Sequence, residues 1–369
     1  MKVLHLIDSG GLYGAEQMLL ALAEEQIKQG LEPIILSCGL PNEPDKPLEI
    51  EAEKRGISVK RWRMKAGLNF KGAWRILQMA HTEHVDILHS HGYKFNILLA
   101  AFPKFIRKIP VVSTVHGYVK AKVFSKMWLY EIMDRLALKN INYVVAVSNA
   151  MAKYEPFSSR NNNGFKVIQN GISKTPIKVK NFNVRENTLL NIMAVGRLSP
   201  EKGFDYLINA LFELKTMNVN VHLTIFGDGG LKYSLEKLAD SLGLSSQVVF
   251  AGFNSNIPAR MHDFDLLVMP SLTEGIPITL LEALREKIAV CASNVGGIPE
   301  VLGEDSPYLI EPADVNSITK SLREFLLLSS DEIKQLILDN FYKFEDGFTS
   351  VKMQEKYTSV YFSLVNGKS

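Results

Sequence analysis

Short runs of β-branched and apolar residues alternate with stretches of helical spacing along almost the whole chain, and this alternation constrains the fold most. Ten runs have the length of buried strands, at 2–7, 32–36, 87–89, 111–115, 143–147, 190–195, 221–226, 247–251, 266–269 and 289–292. Segments between several of them, such as 17–29, repeat apolar residues every three or four positions. Strand and helix in alternation predict parallel sheets, so we expect an α/β fold of doubly wound sheets.

The alternation breaks once, near 170–191, where Asn, Lys, Thr and Pro replace the apolar pattern. We interpret residues 172–188 as a polar linker between two Rossmann-like domains, which agrees with the roughly 150 residues expected per domain. The predicted domains are 1–174 and 175–347, facing each other across a cleft. Ligands of such folds lie at the carboxyl ends of the strands, so we expect the site in that cleft. The tail, 348–369, has helical spacing and is predicted to pack back on the first domain.

Charge and cysteine content limit the possible partners and compartments. The net charge is +3, but residues 1–175 carry +9 and residues 176–369 carry −6. Such asymmetry suggests an anionic partner for the first half, either nucleic acid or a membrane surface. No known nucleic-acid-binding module is present, so nucleic acid is not expected. Two distant cysteines, no secretory signal and no apolar run near 20 residues predict a cytoplasmic protein.

Two glycine-rich loops follow predicted strands. Gly11 lies in the loop GGLYGAE at 10–16, where glycines let backbone amides approach an anion at a helix start. A plain strand-to-helix turn explains this loop equally well. Gly227 opens GDGGLK at 227–232, which begins like a dinucleotide fingerprint but has Lys232 at its sixth position, so an NAD site is not expected.

Arg197 and Lys202 lie in one short loop directly after the run 190–195. A guanidinium fork and a compact ammonium at the carboxyl end of a strand suit the two phosphates of a nucleotide diphosphate. Such a pair taken alone is more often solvated surface.

Glu274 precedes a predicted helix, and Glu282 lies eight residues later, about two turns along one face. We expect the amides of Gly275 and Ile276 to form the N-terminus of that helix, a seat for phosphate. Taken separately, the two carboxylates would more often mark a solvated helix face.

Read together, these segments resemble the retaining glycosyltransferases of family four, which have the GT-B fold. The resemblance spans nearly the whole chain. In the first half it rests on GGLYGAE at 10–16, DILHSHG at 86–92, STVHG at 113–117, AVSNA at 146–150 and VIQNGIS at 167–173. In the second half it rests on VGRLSPEKG at 195–203, FGDG at 226–229, FAGF at 250–253, MPSLTEGIPITLLEAL at 269–284 and NVGGIPEVL at 294–302.

The resemblance implies a role for each candidate residue. Arg197 and Lys202 would bind the donor diphosphate, Glu274 the transferred sugar, and Glu282 the nucleotide ribose. His116 would lie beside the donor sugar as a second catalytic residue, although a histidine capping a strand end remains an alternative. The other donor-binding positions implied are Gly11, Gly227, Phe253, Gly275 and Ile276.

The resemblance also implies the activity: transfer of a hexose from a nucleotide sugar with retention and without a metal or other cofactor. It makes 1–174 the acceptor-binding domain and 175–347 the donor-binding domain. UDP is the expected nucleotide, and the expected acceptor is a glycan or lipid-linked glycan in the synthesis of surface polysaccharide or glycolipid. The alternatives are another GT-B enzyme, such as a nucleotide-sugar epimerase, and a catalytically silent partner protein.

Basic residues interleave with aromatic residues in two stretches of the first half. Residues 60–75 hold six cations and no acid, and residues 94–128 hold seven cations and no acid. Such a composition suits the headgroup region of an anionic membrane. We therefore predict peripheral contact with the inner face of the cell membrane. A solvated face with buried aromatic rings is the alternative.

Overall fold

The computed structural model describes residues 1–8, 11–117, 124–153, 157, 164–174 and 189–367. It divides into two compact units, Met1–Ile172 with Ser350–Ser369, and Ser173–Thr349. Most of the predicted linker lies outside the described residues, as do Gly10 of the first glycine loop and Lys120 and Lys122 of the second basic stretch.

The first unit is built on a parallel sheet of the order β3-β2-β1-β4-β5-β6-β7. The strands are β1 (Lys2–Ile7), β2 (Glu32–Gly39), β3 (Ser58–Arg63), β4 (Ile87–Ser90), β5 (Val111–Val115), β6 (Tyr143–Ala146) and β7 (Phe165–Val167). Each central strand is covered on both faces by helices, which explains why these strands are continuous apolar runs.

The helices of the first unit lie on both faces of the sheet, as a reversal of strand order requires. They are α1 (Gly14–Lys28), α2 (Pro47–Lys54), α3 (Phe70–Thr82), α4 (Tyr93–Ala100), α5 (Lys104–Arg107), α6 (Lys126–Leu138), α7 (Asn149–Ala152) and α15 (Ser350–Asn366). Helices α3, α4 and α6 share one apolar core with the sheet, while α1 and α2 contribute to the core on the opposite face.

The second unit repeats the design with a parallel sheet of the order β10-β9-β8-β11-β12-β13. Its strands are β8 (Leu190–Val195), β9 (Val221–Phe226), β10 (Val248–Gly252), β11 (Leu266–Met269), β12 (Ala289–Ser293) and β13 (Leu309–Ile310). Its helices are α8 (Phe204–Thr216), α9 (Lys232–Ser241), α10 (Ile257–Met261), α11 (Ile278–Arg285), α12 (Ile298–Leu302), α13 (Val315–Leu327) and α14 (Ser330–Gly347). The order reverses between β8 and β11, which places the expected ligand position at their carboxyl ends.

Two parallel, doubly wound sheets confirm the predicted fold class. The runs that the pattern missed are at sheet edges: β3, β7 and the two-residue β13. The segment of β3 is rich in cations because an edge strand has one side open to solvent and tolerates charge.

Helix α15 belongs to the first unit although the whole second unit separates it from Ile172 in sequence. It packs against α1. Its buried side chains are Ser350, Met353, Gln354, Tyr357, Val360 and Tyr361. Within the described part of the chain, the helices are all too short or too polar to cross a membrane.

Candidate active site

The loops that follow β8, β9, β11 and β12 of the second unit are joined by backbone hydrogen bonds. Leu198 N–H donates to Asp228 O at 3.0 Å, and Leu272 N–H donates to Glu201 O at 2.8 Å. Gly297 N–H donates to Gly275 O at 2.8 Å. These bonds fix the four loops as one surface at the carboxyl ends of the strands.

Glycines make this close contact between loops possible. A Cβ on Gly227, whose φ is 141°, would lie 1.9 Å from the carbonyl oxygen of Gly196, and a Cβ on Gly296 would lie 1.9 Å from that of Glu274. No side chain fits at such distances, so backbone must pack on backbone here. The predicted donor-binding residue Gly227 therefore has a demonstrable packing role.

Lys202 and Glu274 meet at the point where the strand order reverses. Lys202 ends a single 3₁₀ turn, Pro200–Lys202, after β8, and its Nζ lies 2.5 Å from Oε1 of Glu274, in the loop after β11. Ser271 Oγ donates to the same oxygen at 2.7 Å. The Glu274 side chain is 10% exposed, so both partners act on a carboxylate with little access to water. The structure thus brings together two residues that the sequence placed 72 positions apart.

The predicted helix start after Glu274 is wrong. Helix α11 begins at Ile278, with Pro277 in the extended conformation at the N-cap. Gly275 and Ile276 therefore precede the helix and do not form its N-terminus. The proline explains the shift, because its ring disfavours helical geometry for the residue before it.

Glu282 lies on α11, one residue after the buried Leu281. Burial raises the pKa of its carboxyl to about 7; Arg285 lowers the pKa and Glu286 raises it. Glu286 is itself enclosed, with Arg285 Nε 2.9 Å from its Oε1 and His262 Nε2 3.3 Å from its Oε2. Glu282 is thus a carboxyl group that changes charge near neutral pH.

Arg197 and Phe253 complete the predicted set of the second unit. Arg197 is exposed in the loop after β8. Phe253 follows β10; its backbone N–H donates to Asp228 Oδ2 at 3.1 Å, and its ring is 56% exposed. An exposed, flat apolar ring beside the loops is suited to contact with a nucleotide base.

In the first unit, Gly11 and His116 follow β1 and β5. Gly11 is buried, and a Cβ there would lie 2.5 Å from the ring of Tyr13. The amide of Tyr13, at the N-cap of α1, donates to the Glu16 carboxylate at 2.8 Å, so a carboxylate already occupies this part of the predicted anion seat.

His116 lies with its Nε2 3.3 Å from Nδ1 of His91. Burial lowers the pKa of His116 to about 4, so its imidazole is neutral near pH 7. Sequence reasoning missed His91 as well as His5 and His89, which join it in a buried network. The available signal was a histidine inside the apolar runs 2–7 and 87–89, where a polar side chain must find a partner.

Two family profiles match the chain, one for each unit. The profile described as Glycosyltransferase Family 4 matches residues 13–174, and that described as Glycosyl transferases group 1 matches residues 177–337. This chain is a family 4 glycosyltransferase. The resemblance predicted from the motifs is thereby confirmed, and the protein is an enzyme that uses nucleotide sugars.

Two curated relatives and one solved structure illustrate the similarity. The chain is 26% identical over 323 residues to the UDP-Gal:α-D-GlcNAc-diphosphoundecaprenol α-1,3-galactosyltransferase of Escherichia coli, covering 81% of each. It is 24% identical over 312 residues to the N-acetyl-α-D-glucosaminyl L-malate synthase of Bacillus anthracis, covering 80% of each. Anabaena HepE in complex with UDP-glucose superposes with a TM-score of 0.81 at 22% identity, over 98% of this chain and 100% of that one.

Part of the predicted basic surface of this glycosyltransferase is neutralised, which corrects the sequence interpretation. Lys60 pairs with Glu83 at 2.8 Å, Arg61 pairs with Asp45 and Glu53, and Arg63 pairs with Glu49. Lys94 pairs with Asp8 at 2.8 Å. A further cation of the second stretch, Arg107, is buried and donates to backbone carbonyls. Acids distant in sequence thus cancel charges that appear unopposed in the local sequence.

Among the other described cations of the two basic stretches, Lys65 and Lys108 are exposed outside the helices, and the rest lie on α3, α5 and α6, which also carry exposed apolar side chains. The exposed cations of this patch are Lys71, Arg75, Lys104 and Lys126. The exposed apolar residues beside them are Phe70, Trp74, Phe105, Phe124 and Leu129. Phe105 is 76% exposed and Phe124 is 87% exposed, so for these two rings the alternative of buried aromatics does not hold. We name this set the helical patch.

Replacing Gly227 with alanine should destabilise the second unit of the glycosyltransferase. The added Cβ would clash with the Gly196 carbonyl, and the positive φ is itself unfavourable for alanine, so we expect a loss of about 2 kcal/mol or more in the free energy of unfolding. Gly230→Ala is the matched control, because nothing lies within 4 Å of its Cβ position. Urea unfolding followed by circular dichroism measures both; equal stabilities would contradict the packing role.

Proposed function

We propose that the enzyme transfers a hexose from a UDP-hexose, with retention, to a glycan or lipid-linked glycan acceptor in the synthesis of surface polysaccharide or glycolipid. The E. coli relative carries UDP-Gal and a diphosphoundecaprenol acceptor in its name, and HepE was solved with UDP-glucose. These relatives support the nucleotide and the kind of acceptor. The second unit is the proposed donor-binding unit and the first is the proposed acceptor-binding unit.

The ion pair of Lys202 and Glu274 carries the proposal. An ammonium 2.5 Å from a mostly buried carboxylate, at the reversal point of a doubly wound sheet, places one cation and one hydrogen-bond acceptor where such folds bind nucleotides. A donor diphosphate would share the Lys202 ammonium. Among the described residues, Lys202 and Ser271 donate side-chain hydrogen bonds to Glu274, and both bonds go to Oε1. Its other oxygen can therefore accept from a sugar hydroxyl.

The proposed reaction breaks the bond between the anomeric carbon and the diphosphate oxygen. Arg197 and Lys202 stabilise the negative charge that develops on the leaving diphosphate, which favours the transition state over the ground state. The acceptor hydroxyl attacks from the face that the diphosphate leaves, and its proton passes to the departing phosphate oxygen. Attack from this face retains the configuration without a covalent enzyme intermediate, while Glu274 and His116 orient the sugar.

Independence from metal ions is part of the proposal, because two cationic side chains take the role of a divalent ion. The sequence contains one Asp-x-Asp triplet, at 263–265. Asp265 precedes β11, at the amino end of the strand, and its Oδ2 accepts from the Asn191 amide at 2.8 Å; Asp263 binds Arg260. Both carboxylates thus have structural partners at the edge of the sheet opposite the proposed site.

Glu274→Gln should reduce hexose transfer by at least a hundredfold while leaving the affinity for UDP within a few fold. The carboxylate is assigned to the sugar, whose position matters most in the transition state. Arg197→Ala and Lys202→Ala should instead weaken UDP binding, each by about 1.5–3 kcal/mol, through loss of charge-assisted contacts.

Radiolabelled transfer and calorimetric titration with UDP separate these effects. Glu324→Gln, on the exposed side of α13, is the control and should match the unmodified enzyme. The transfer assay is run with and without excess EDTA, which should make no difference. Near-normal turnover by Glu274→Gln would refute the assignment, and UDP-hexose consumption without transfer would favour the epimerase alternative.

The affinity for UDP-glucose should increase with pH through the ionisation of Glu282. Its raised pKa of about 7 means that most of the carboxyl is protonated at pH 6 and most is ionised at pH 8. The ionised form accepts bonds from ribose hydroxyls, so affinity should rise by about tenfold between these values.

UDP-glucose suits this measurement because its diphosphate diester keeps a constant charge between pH 6 and 8. Calorimetric titration at several pH values gives the profile. Glu282→Gln cannot ionise and should show a flat profile. An equal rise in both proteins would remove Glu282 from the ribose site.

The acceptor side of the proposal includes peripheral binding to anionic membranes through the helical patch. Its four exposed cations, at about 1 kcal/mol each near an anionic surface, suffice for reversible binding. Exposed aromatic rings beside cations suit the headgroup level of a bilayer, where rings insert and cations meet lipid phosphate. A lipid-linked acceptor is presented at the same surface.

Replacing Trp74 and Phe105 together with alanine should reduce binding to anionic liposomes at least fivefold, because two exposed rings leave the contact surface. The control replaces Tyr233 and Leu327, which are 77% and 84% exposed in the second unit, and should bind normally. Co-sedimentation with anionic and with neutral vesicles at low salt gives the result. Equal binding to both vesicle types, or none to either, would refute the membrane proposal.

A further inference from the structure

A network of hydrogen-bonded polar side chains lies inside the first unit, between the sheet and helices α1 and α15. Its members are fully or almost fully buried, except for the partly buried His116. They are His5 of β1, His89 of β4, His91 directly after β4, Thr114 of β5, His116 directly after β5, Gln26 of α1, and Tyr357 and Tyr361 of α15.

One branch of the network leads from Gln26 to His116. Gln26 Oε1 lies 2.9 Å from His5 Nε2, and His5 Nδ1 lies 3.0 Å from His91 Nε2. His91 Nδ1 then lies 3.3 Å from His116 Nε2. Three imidazoles are thus linked in series, each using both ring nitrogens except the last.

The histidines are neutral, so each carries one N–H and one bare lone pair. Burial lowers the pKa of His5 and of His116 to about 4, and lowers that of His91 well below its ordinary value. In a series of neutral imidazoles, the donor or acceptor at one end determines every tautomer along the series.

The amide oxygen of Gln26 can only accept, so His5 must donate through Nε2 and accept through Nδ1. His91 then donates through Nε2 and accepts through Nδ1. His116 therefore donates through Nε2, and its Nδ1 bears the lone pair.

A second branch holds the amide of Gln26 in this orientation. Gln26 Nε2 lies 3.4 Å from the hydroxyl of Tyr361, which lies 2.7 Å from Nδ1 of His89. His89 Nε2 lies 2.8 Å from Oγ1 of Thr114. With Gln26 donating to Tyr361, Tyr361 donates to His89 and His89 donates to Thr114, so every bond has one donor and one acceptor.

The free end of the first branch agrees with this direction. His116 Nδ1 is a buried atom with no hydrogen-bond partner among the described residues. If the Gln26 amide were reversed, this atom would carry an N–H with no acceptor. A buried N–H without a partner is disfavoured more than a bare lone pair.

We propose that Gln26 is a positioning residue which, through His5 and His91, fixes His116 in the tautomer with Nε2 protonated and a lone pair on Nδ1. His116 consequently offers an acceptor to a hydroxyl group and cannot serve as a proton donor at Nδ1. The identity of that hydroxyl rests on the proposed function, in which His116 faces the transferred sugar. The tautomer of His116 does not depend on the proposed function.

The same histidines raise the question of a metal site, since ligand atoms from His5, His89 and His91 lie within 4.8 Å of one another. Both nitrogens of His89, however, are already within 2.8 Å of hydroxyl groups of Tyr361 and Thr114. A metal ion would break bonds that satisfy a fully buried ring. The network is therefore assigned to hydrogen bonding.

Long-range ¹H–¹⁵N NMR of the histidine-labelled enzyme measures the tautomers directly, with the His116 signals assigned by their loss in His116→Gln. We expect His116 to show a protonated Nε2 and an unprotonated Nδ1. Gln26→Met keeps the volume of the side chain but removes the amide. It should convert His116 to a mixture of tautomers and lower kcat about tenfold, with the donor KM within twofold.

Gln354→Met is the matched control, because Gln354 is another buried glutamine of this unit whose side chain binds Thr358 instead. It should leave the His116 tautomer unchanged. If Gln26→Met does not fold, Tyr361→Phe tests the same idea, since it removes only the hydroxyl that orients the Gln26 amide and should also mix the tautomers.

A protonated Nδ1 in the unmodified enzyme, or an unchanged His116 tautomer in Gln26→Met or Tyr361→Phe, would overturn the proposal. So would stoichiometric binding of added Zn²⁺ that shifts the His5, His89 and His91 signals together. The NMR result stands whether or not the enzyme transfers UDP-hexoses, so a wrong donor assignment would not be mistaken for a wrong tautomer.

Discussion

Backbone packed on backbone at the carboxyl ends of β8, β9, β11 and β12 is the constraint on which the donor site depends. Where a carbonyl oxygen lies 1.9 Å from the place of a Cβ, only glycine is possible, and the chain has glycine at both such positions, 227 and 296. The hydrogen-bonded loops fix the backbone positions of Lys202 and Glu274, so that their side chains can form an ion pair. A looser junction would leave both side chains free to adopt many rotamers, and the ordering cost would then fall on ligand binding.

The second constraint is the need to hydrogen-bond every polar side chain buried inside the first unit. Polar groups buried beneath a sheet must be satisfied in full, because an incomplete network is worse than an apolar core. Three histidines lie on or directly after central strands, and two tyrosines of α15 complete the network: Tyr361 bonds His89, and Tyr357 bonds Thr114. The helix therefore contributes hydrogen-bond specificity as well as apolar burial, which fixes its register on the sheet.

The sequence predicted the central strands closely because strands buried on both faces must be apolar throughout. Strand β1 and strand β8 have the predicted bounds. Edge strands such as β3 were missed since their cations follow solvent exposure rather than burial. The start of α11 was misplaced because Gly275 and Ile276 were expected to open the helix, whereas Pro277 lies at its N-cap.

For the site, the motifs predicted which residues matter but not how they meet. The 2.5 Å contact of Lys202 with Glu274 and the series from Gln26 to His116 join residues from distant strands, and local pattern carries no such information. The neutralised cations of β3 show the same limit, because their partners lie on other elements.

The place of α15 in the fold has a consequence for how the chain is made on the ribosome. The first unit is translated first, yet the hydroxyls that complete its interior, on Tyr357 and Tyr361, follow only after about 180 further residues, which take roughly 10 to 40 s to synthesise. During that interval His89 and Thr114 of the nascent first unit lack their tyrosine partners, while the second unit can fold as it emerges. The first unit, although synthesised first, is thus completed after the second. Until α15 is made, the face of the first unit that it covers is the surface that a chaperone would need to shield.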